Sequence, residues 1–178
     1  MRKALVTGAG GGIGAAIARA LDARGYRLIL VNRTEAPLDA VAATLTSPPE
    51  KILCDLSLRA DVEALCETVR IDHPDLDILI NNAGIAVPGA IADIDQDLID
   101  RHLEINLRAP IRLMRAIAPQ MIARGSGSMV AIVSIGGIIS LNDSAISSAS
   151  KFGLLVVLAA FHQAVSAKGL RISAVSTR

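Results

Sequence analysis

Between an apolar run, Lys3 to Thr7, and a stretch of helical periodicity, the chain reads Thr7-Gly8-Ala9-Gly10-Gly11-Gly12-Ile13-Gly14. No other feature limits the possible folds so sharply. Glycine at 8, 12 and 14 allows a tight turn, admits a pyrophosphate close to the main chain, and brings the helix against the strand. The helix that follows, with Ile13, Ile17 and Leu21 on one face, presents unpaired N–H groups to an anion at its start. A dinucleotide lying over this turn is the leading expectation, a merely flexible turn the alternative.

Strand-like runs rich in Val, Ile and Leu recur at 3–7, 27–32, 51–54, 77–81, 129–134 and 170–175, with helix-like stretches at 12–24, 34–45, 60–71, 95–124 and 146–168. Most of the strand-like runs are continuously apolar, as in strands buried on both faces. Alternation of strand and helix means βαβ units and a parallel sheet. Right-handed crossovers and a nucleotide-binding start then predict an α/β fold: a Rossmann-type doubly wound parallel sheet in three α/β/α layers, strand order 3-2-1-4-5-6, in a single domain over 1–178.

Hydrophobic residues make up 52% of the chain but aromatics only 2%, so the core has to be aliphatic. The 18 basic and 17 acidic residues are scattered and leave a net charge of +1, with no electrostatic footprint for nucleic acid or an anionic membrane. The longest apolar run, Phe152 to Phe161, is shorter than the roughly 18 residues of a membrane span. Neither nucleic acid nor a membrane is an expected partner. The N-terminus enters a strand directly, with no room for a signal-peptide core, and a cytoplasmic setting is expected. Cys54 and Cys66 suit core positions by number and spacing, and no metal is expected. Asp93, Asp95, Asp97 and Asp100 stand where the long helix begins, which favours a helix N-terminus over a metal site.

With Thr7, Gly8, Gly12 and Gly14 in this pattern, the sequence resembles the short-chain dehydrogenase/reductase family, and further motifs follow in register. Asn81-Asn82-Ala83-Gly84 matches the family's element that supports the sheet and lines the cofactor channel. Asp55, with Leu56 beside it, matches the acidic residue that meets the adenine amino group. Asn106 matches the helix asparagine of the catalytic tetrad, Ser134 the catalytic serine, and Lys151 the lysine that holds the nicotinamide ribose. The resemblance implies hydride transfer between a nicotinamide cofactor and a small alcohol or carbonyl substrate, and a homodimer or homotetramer built through helices 95–124 and 146–168.

The residues ending the second strand choose the cofactor. An Asp there would hold both ribose hydroxyls of NAD and repel a 2′-phosphate; the chain instead has Asn32-Arg33, with a guanidinium and no carboxylate. NADP(H) is therefore expected over NAD(H), although Gly11 stands where many NADP-preferring relatives place a second basic residue.

Two departures cut against a working enzyme. Four residues before Lys151, where the family has its proton-donating tyrosine, stands Ser147, 13 residues after Ser134. A serine hydroxyl has an acidity nearer that of water, about 15.7, than that of tyrosine, about 10, which bounds the proton-transfer penalty at roughly 7 kcal/mol. Tyr26 is the only tyrosine and lies before the second strand; His102 and His162, on the two long helices, are expected at the surface or an interface. The second departure is that the sixth strand is followed only by Ser176-Thr177-Arg178, without the family's substrate lid and seventh strand. An impaired oxidoreductase is the leading reading, with a cofactor-binding pseudoenzyme or scaffold, or a truncated or engineered fragment of a working enzyme, as alternatives.

Overall fold

In the computed structural model, which describes residues 2–134, 139 and 143–177, six strands form one parallel sheet. They are β1 (Lys3–Thr7), β2 (Arg27–Asn32), β3 (Glu50–Leu53), β4 (Ile78–Asn81), β5 (Gly127–Ser134) and β6 (Leu170–Thr177), in the order β3-β2-β1-β4-β5-β6. The Rossmann-type doubly wound expectation is met. Arg178 lies outside the described residues.

Alternate strand residues feed two aliphatic cores. Leu5, Ile29, Val31, Leu79, Met129 and Val133 point to one face, covered by α3 (Arg59–Asp72), α5 (Ala109–Arg124) and α6 (Ala145–Val165). Ala4, Val6, Leu28, Leu30, Ile80 and Ile132 point to the other, covered by α1 (Gly12–Asp22) and α2 (Glu35–Ala42). The period of two sorts each strand between the faces; in β1, β2 and β4 the continuous apolar runs reflect burial of both, whereas the edge strands β3 and β6 carry exposed polar residues such as Lys51 and Arg171.

The stretch expected as one helix over 95–124 has three parts: α4 (Gln96–Leu103), a π-helical turn over Glu104–Arg108, and α5. Its start is capped by the Asp95 carboxylate, which accepts from the Leu98 N–H at 2.9 Å, with Asp97 in the first turn. The acidic cluster thus has its helix-start role at two of its four members. With a 3-10 turn the last helix runs over Ala145–Lys168, long and apolar enough by composition to cross a membrane. Its Leu154, Leu158 and Val165 are instead buried against the sheet, and Lys151 lies among its buried residues.

Candidate dinucleotide-binding and active site

The ends of β1 and β4 are stitched together beneath the glycine turn. The Thr7 hydroxyl, buried, accepts from the Asn82 and Ala83 backbone N–H groups, both at 3.1 Å, and donates to the Ile80 carbonyl at 3.4 Å. The Asn82 carboxamide donates to the Thr7 and Gly8 carbonyls at 3.0 and 3.1 Å. Thr7 and Asn82 are braces that shape the turn.

The glycines divide the work as the motif implies. Gly8 has φ +63°, and a Cβ there would meet the Ala83 Cα at 2.9 Å. Gly12 has φ +50° and open space where a Cβ would project. At Gly14 a Cβ would collide with the Gly8 carbonyl oxygen, so only glycine lets α1 start this close to β1. Gly11 caps α1 with no side-chain hydrogen bond and no acidic residue follows in the first turn, leaving the N–H groups around the exposed Ile13 for an anion.

A cleft of about 440 Å³ opens from this turn across the carboxyl ends of the strands, and Gly8, Asn32, Arg33, Asp55, Leu56, Asn82, Ala83 and Gly84 all line it. The Asn32 carboxamide donates to the Thr34 carbonyl and hydroxyl at 3.1 and 3.2 Å, fixing the bend that follows β2, and Arg33 beyond it is exposed. Burial works to raise the Asp55 carboxyl. The Ser57 hydroxyl and N–H, at 2.6 and 2.9 Å from its Oδ1, and the fields of Arg33 and Arg101 more than offset that, and the group sits below its ordinary value. It is a carboxylate, able to accept from an exocyclic amine.

At the Gly84 end of the cleft lie the residues matched to chemistry. A Cβ at Gly84 would meet Lys151 Nζ at 3.0 Å and Asn106 Oδ1 at 3.2 Å, so the glycine admits both side chains. Lys151 is 8% exposed, donates to the Ile132 carbonyl at 3.2 Å, and has its pKa lowered by burial. Asn106, fully buried in the π turn, accepts from the Ile85 N–H and donates to the Ile85 carbonyl, both at 2.9 Å, and donates to the Ser150 hydroxyl at 3.0 Å. The Ser150 hydroxyl in turn donates to the Ser147 carbonyl at 2.7 Å. Ser147 is half-buried in the first turn of α6, and Ser134 ends β5 opposite Thr177; most of the chain between them lies outside the described residues.

Two histidines were expected at the surface or an interface. His162 is exposed, but His102 is fully buried, a correction with a clear cause. The loop after β4 folds over α4: His102 Nδ1 lies 2.8 Å from the Leu98 carbonyl, and Nε2 accepts from the Val87 N–H at 3.2 Å. The ring is thereby held in the Nδ1–H tautomer and ties down the loop that borders the site. Cys54 is buried, its thiol pushed up to about 12 chiefly by that burial, while Cys66 is half-buried. The cleft also includes Arg101 and Ile105, which motif matching passed over. Their spacing of four on a helix entering at Asn106 was the available signal.

A family model described as short chain dehydrogenase matches residues 2–177. Nodulation protein G of Rhizobium meliloti is 36% identical over 178 residues, covering 98% of this chain and 71% of that protein. Among solved structures, a bulky-bulky ketone specific alcohol dehydrogenase from Comamonas testosteroni superposes with a TM-score of 0.94 at 32% identity, over 99% of this chain and 72% of the other. A metagenomic short-chain oxidoreductase in complex with NADP gives a TM-score of 0.94 at 35% identity, over 99% and 82%. The glycine turn braced by Asn82, the buried Asn106 and Lys151, the strand order and these likenesses coincide over nearly the whole length: the chain belongs to the short-chain dehydrogenase/reductase family.

Proposed function

We propose that the chain seats NADP(H) in preference to NAD(H) and is an oxidoreductase for a small alcohol or carbonyl substrate whose own proton-transfer step is weakened by Ser147. The observation that carries this reading is one cleft lined together by Gly8 of the glycine turn, Arg33, Asp55 and Gly84, with the buried Lys151 ammonium 3.0 Å from where a Cβ of Gly84 would stand. The residues fit the cofactor: Gly12 leaves room over the main chain, Asp55 offers a carboxylate for the adenine amine, and β2 ends in Asn32-Arg33 with no acid to repel a 2′-phosphate. When bound, the nicotinamide supplies or accepts the hydride.

The remaining steps fall to the side chains. Lys151 holds the nicotinamide ribose, and Asn106, locked by Ile85 and Ser150, supports a water in the proton path. Ser134 serves the substrate oxygen. The proton has to come from the Ser147 hydroxyl, shorter than tyrosine by a ring and several pKa units less acidic. That same serine favours a second reading, a cofactor-binding scaffold without turnover. Like many members of its family, the chain is proposed to work as a homo-oligomer through α5 and α6, and its two thiols suit a reducing cytoplasm.

The test is a titration with NADPH and NADH followed by assay over a carbonyl panel, with and without Ser147→Tyr. Tight NADPH binding with turnover appearing only in Ser147→Tyr supports the proposal. Binding without turnover even when Ser147→Tyr is combined with the family's C-terminal lid and seventh strand appended after Arg178 selects the scaffold, robust turnover by the unaltered chain removes the role given to Ser147, and no binding removes the seat.

A further inference from the structure

We propose that Arg101 is a clamp for the adenine ring, its guanidinium closing the outer side of the cleft over the purine and setting affinity for every adenine dinucleotide, with or without a 2′-phosphate. The inference rests on the reading of the cleft as a dinucleotide seat. Arg101 and Ile105 lie one turn apart, Arg101 on α4 and Ile105 in the π turn, and both line the cleft together with Asp55 and Leu56 from the segment after β3. Ile105 and Leu56 are buried and give this part of the cleft an aliphatic lining suited to a flat ring, with the Asp55 carboxylate among the same lining residues. Arg101 is exposed and lies one helical turn before Ile105 on the cleft's lining.

A purine against such a lining gains most from a planar partner on its open side. The chain has only Tyr26, Phe152 and Phe161 as aromatic residues, and none of them lines the cleft. A guanidinium is planar, delocalised and weakly hydrated, and lies flat on an aromatic face, whereas an ammonium contacts it only as a compact, strongly hydrated point charge. Two guanidinia border the cleft, and neither is within 4.0 Å of a carboxylate among the described residues. Both are near enough to draw the Asp55 carboxyl down. Their origins separate their tasks: Arg33 directly follows Asn32 at the end of β2, whereas Arg101 comes from α4, one turn before Ile105. Arg33 reads the 2′-phosphate; Arg101 reads the ring.

Isothermal titration of the whole chain with NADPH, NADH, 2′-phospho-ADP-ribose and ADP-ribose tests this division. Arg101→Ala is expected to weaken all four by about tenfold, the scale of a partly desolvated cation–aromatic contact, and to leave the NADPH-to-NADH ratio unchanged. Arg101→Lys is expected to recover little of the loss, and Arg33→Ala to lower the preference for the phosphorylated pair. Arg101→Ala weakening only the phosphorylated ligands, Arg101→Lys restoring full affinity, or unchanged affinities in Arg101→Ala would each overturn the clamp. Failure of the dinucleotide seat itself is visible separately, as absence of binding of all four ligands to the unaltered chain. Because Arg101 is exposed, the melting temperature of the unliganded variants should match that of the parent.

Discussion

Lys151 is a buried cation: among the described residues its Nζ donates to the Ile132 carbonyl, and burial lowers its pKa from 10.5. Between that lowered value and 10.5 the unfolded chain binds more protons than the folded one, so the unliganded protein gains stability as pH rises through this window. Below the window the burial penalty is fully present and constant. Lys151→Met should therefore raise stability at neutral pH and flatten the alkaline rise, seen in urea titrations at stepped pH, while abolishing NADPH binding. A steeper alkaline rise in the variant would assign the effect to another group. Lys151 and Asn106 could be located in the sequence because their spacing is set by the chemistry they share. His102 could not, because its burial depends on a loop about 15 residues upstream folding back over α4, a contact with no local pattern. Arg101 escaped for a related reason, since its place on the cleft's lining is fixed by how α4 packs on α6 and the π turn.

At the scale of elements, the alternation of apolar strands with helices was readable because burial on both faces leaves a continuous hydrophobic run. The interruption at Glu104–Arg108 was not, since a π turn inserts no glycine or proline. The turn carries Asn106 and sets it against Ile85 and Ser150. Opposite that turn, Gly153 lies inside α6 with ordinary helical φ, and a Cβ there would sit at 3.4 and 3.5 Å from the Leu107 methyl groups. A small adjustment of Leu107 accommodates it. Gly153→Ala should stabilise the chain by about 0.5–1 kcal/mol through helix propensity and a less flexible unfolded state, measured by the urea midpoint. A loss of stability would mean that the packing of α6 on the π turn leaves Leu107 no room to move.

Across the whole molecule, α5 and α6 border an apolar groove of about 320 Å³ that includes Ile111, Met114, Ala118, Val157 and Phe161, and Val156 nearby is 69% exposed. That surface suits a second copy of the chain. Phe161→Glu is expected to shift sedimentation from dimer or higher to monomer without changing NADPH affinity; a parent chain that already sediments as a monomer at micromolar concentration would remove the groove from the assembly. The seat for the dinucleotide, by contrast, is internal to one copy, but it joins parts of the chain that are synthesised far apart. The Thr7 hydroxyl meets the Asn82 and Ala83 N–H groups across 75 and 76 residues. Strands β1, β2 and β3 can pair from the first third of the chain, yet the glycine turn stays unbraced until β4 docks beside β1, and closing so long a loop is slow relative to helix formation. Competence to bind is thus acquired late on the folding path, and in a refolding experiment the recovery of NADPH binding should lag the recovery of helical signal.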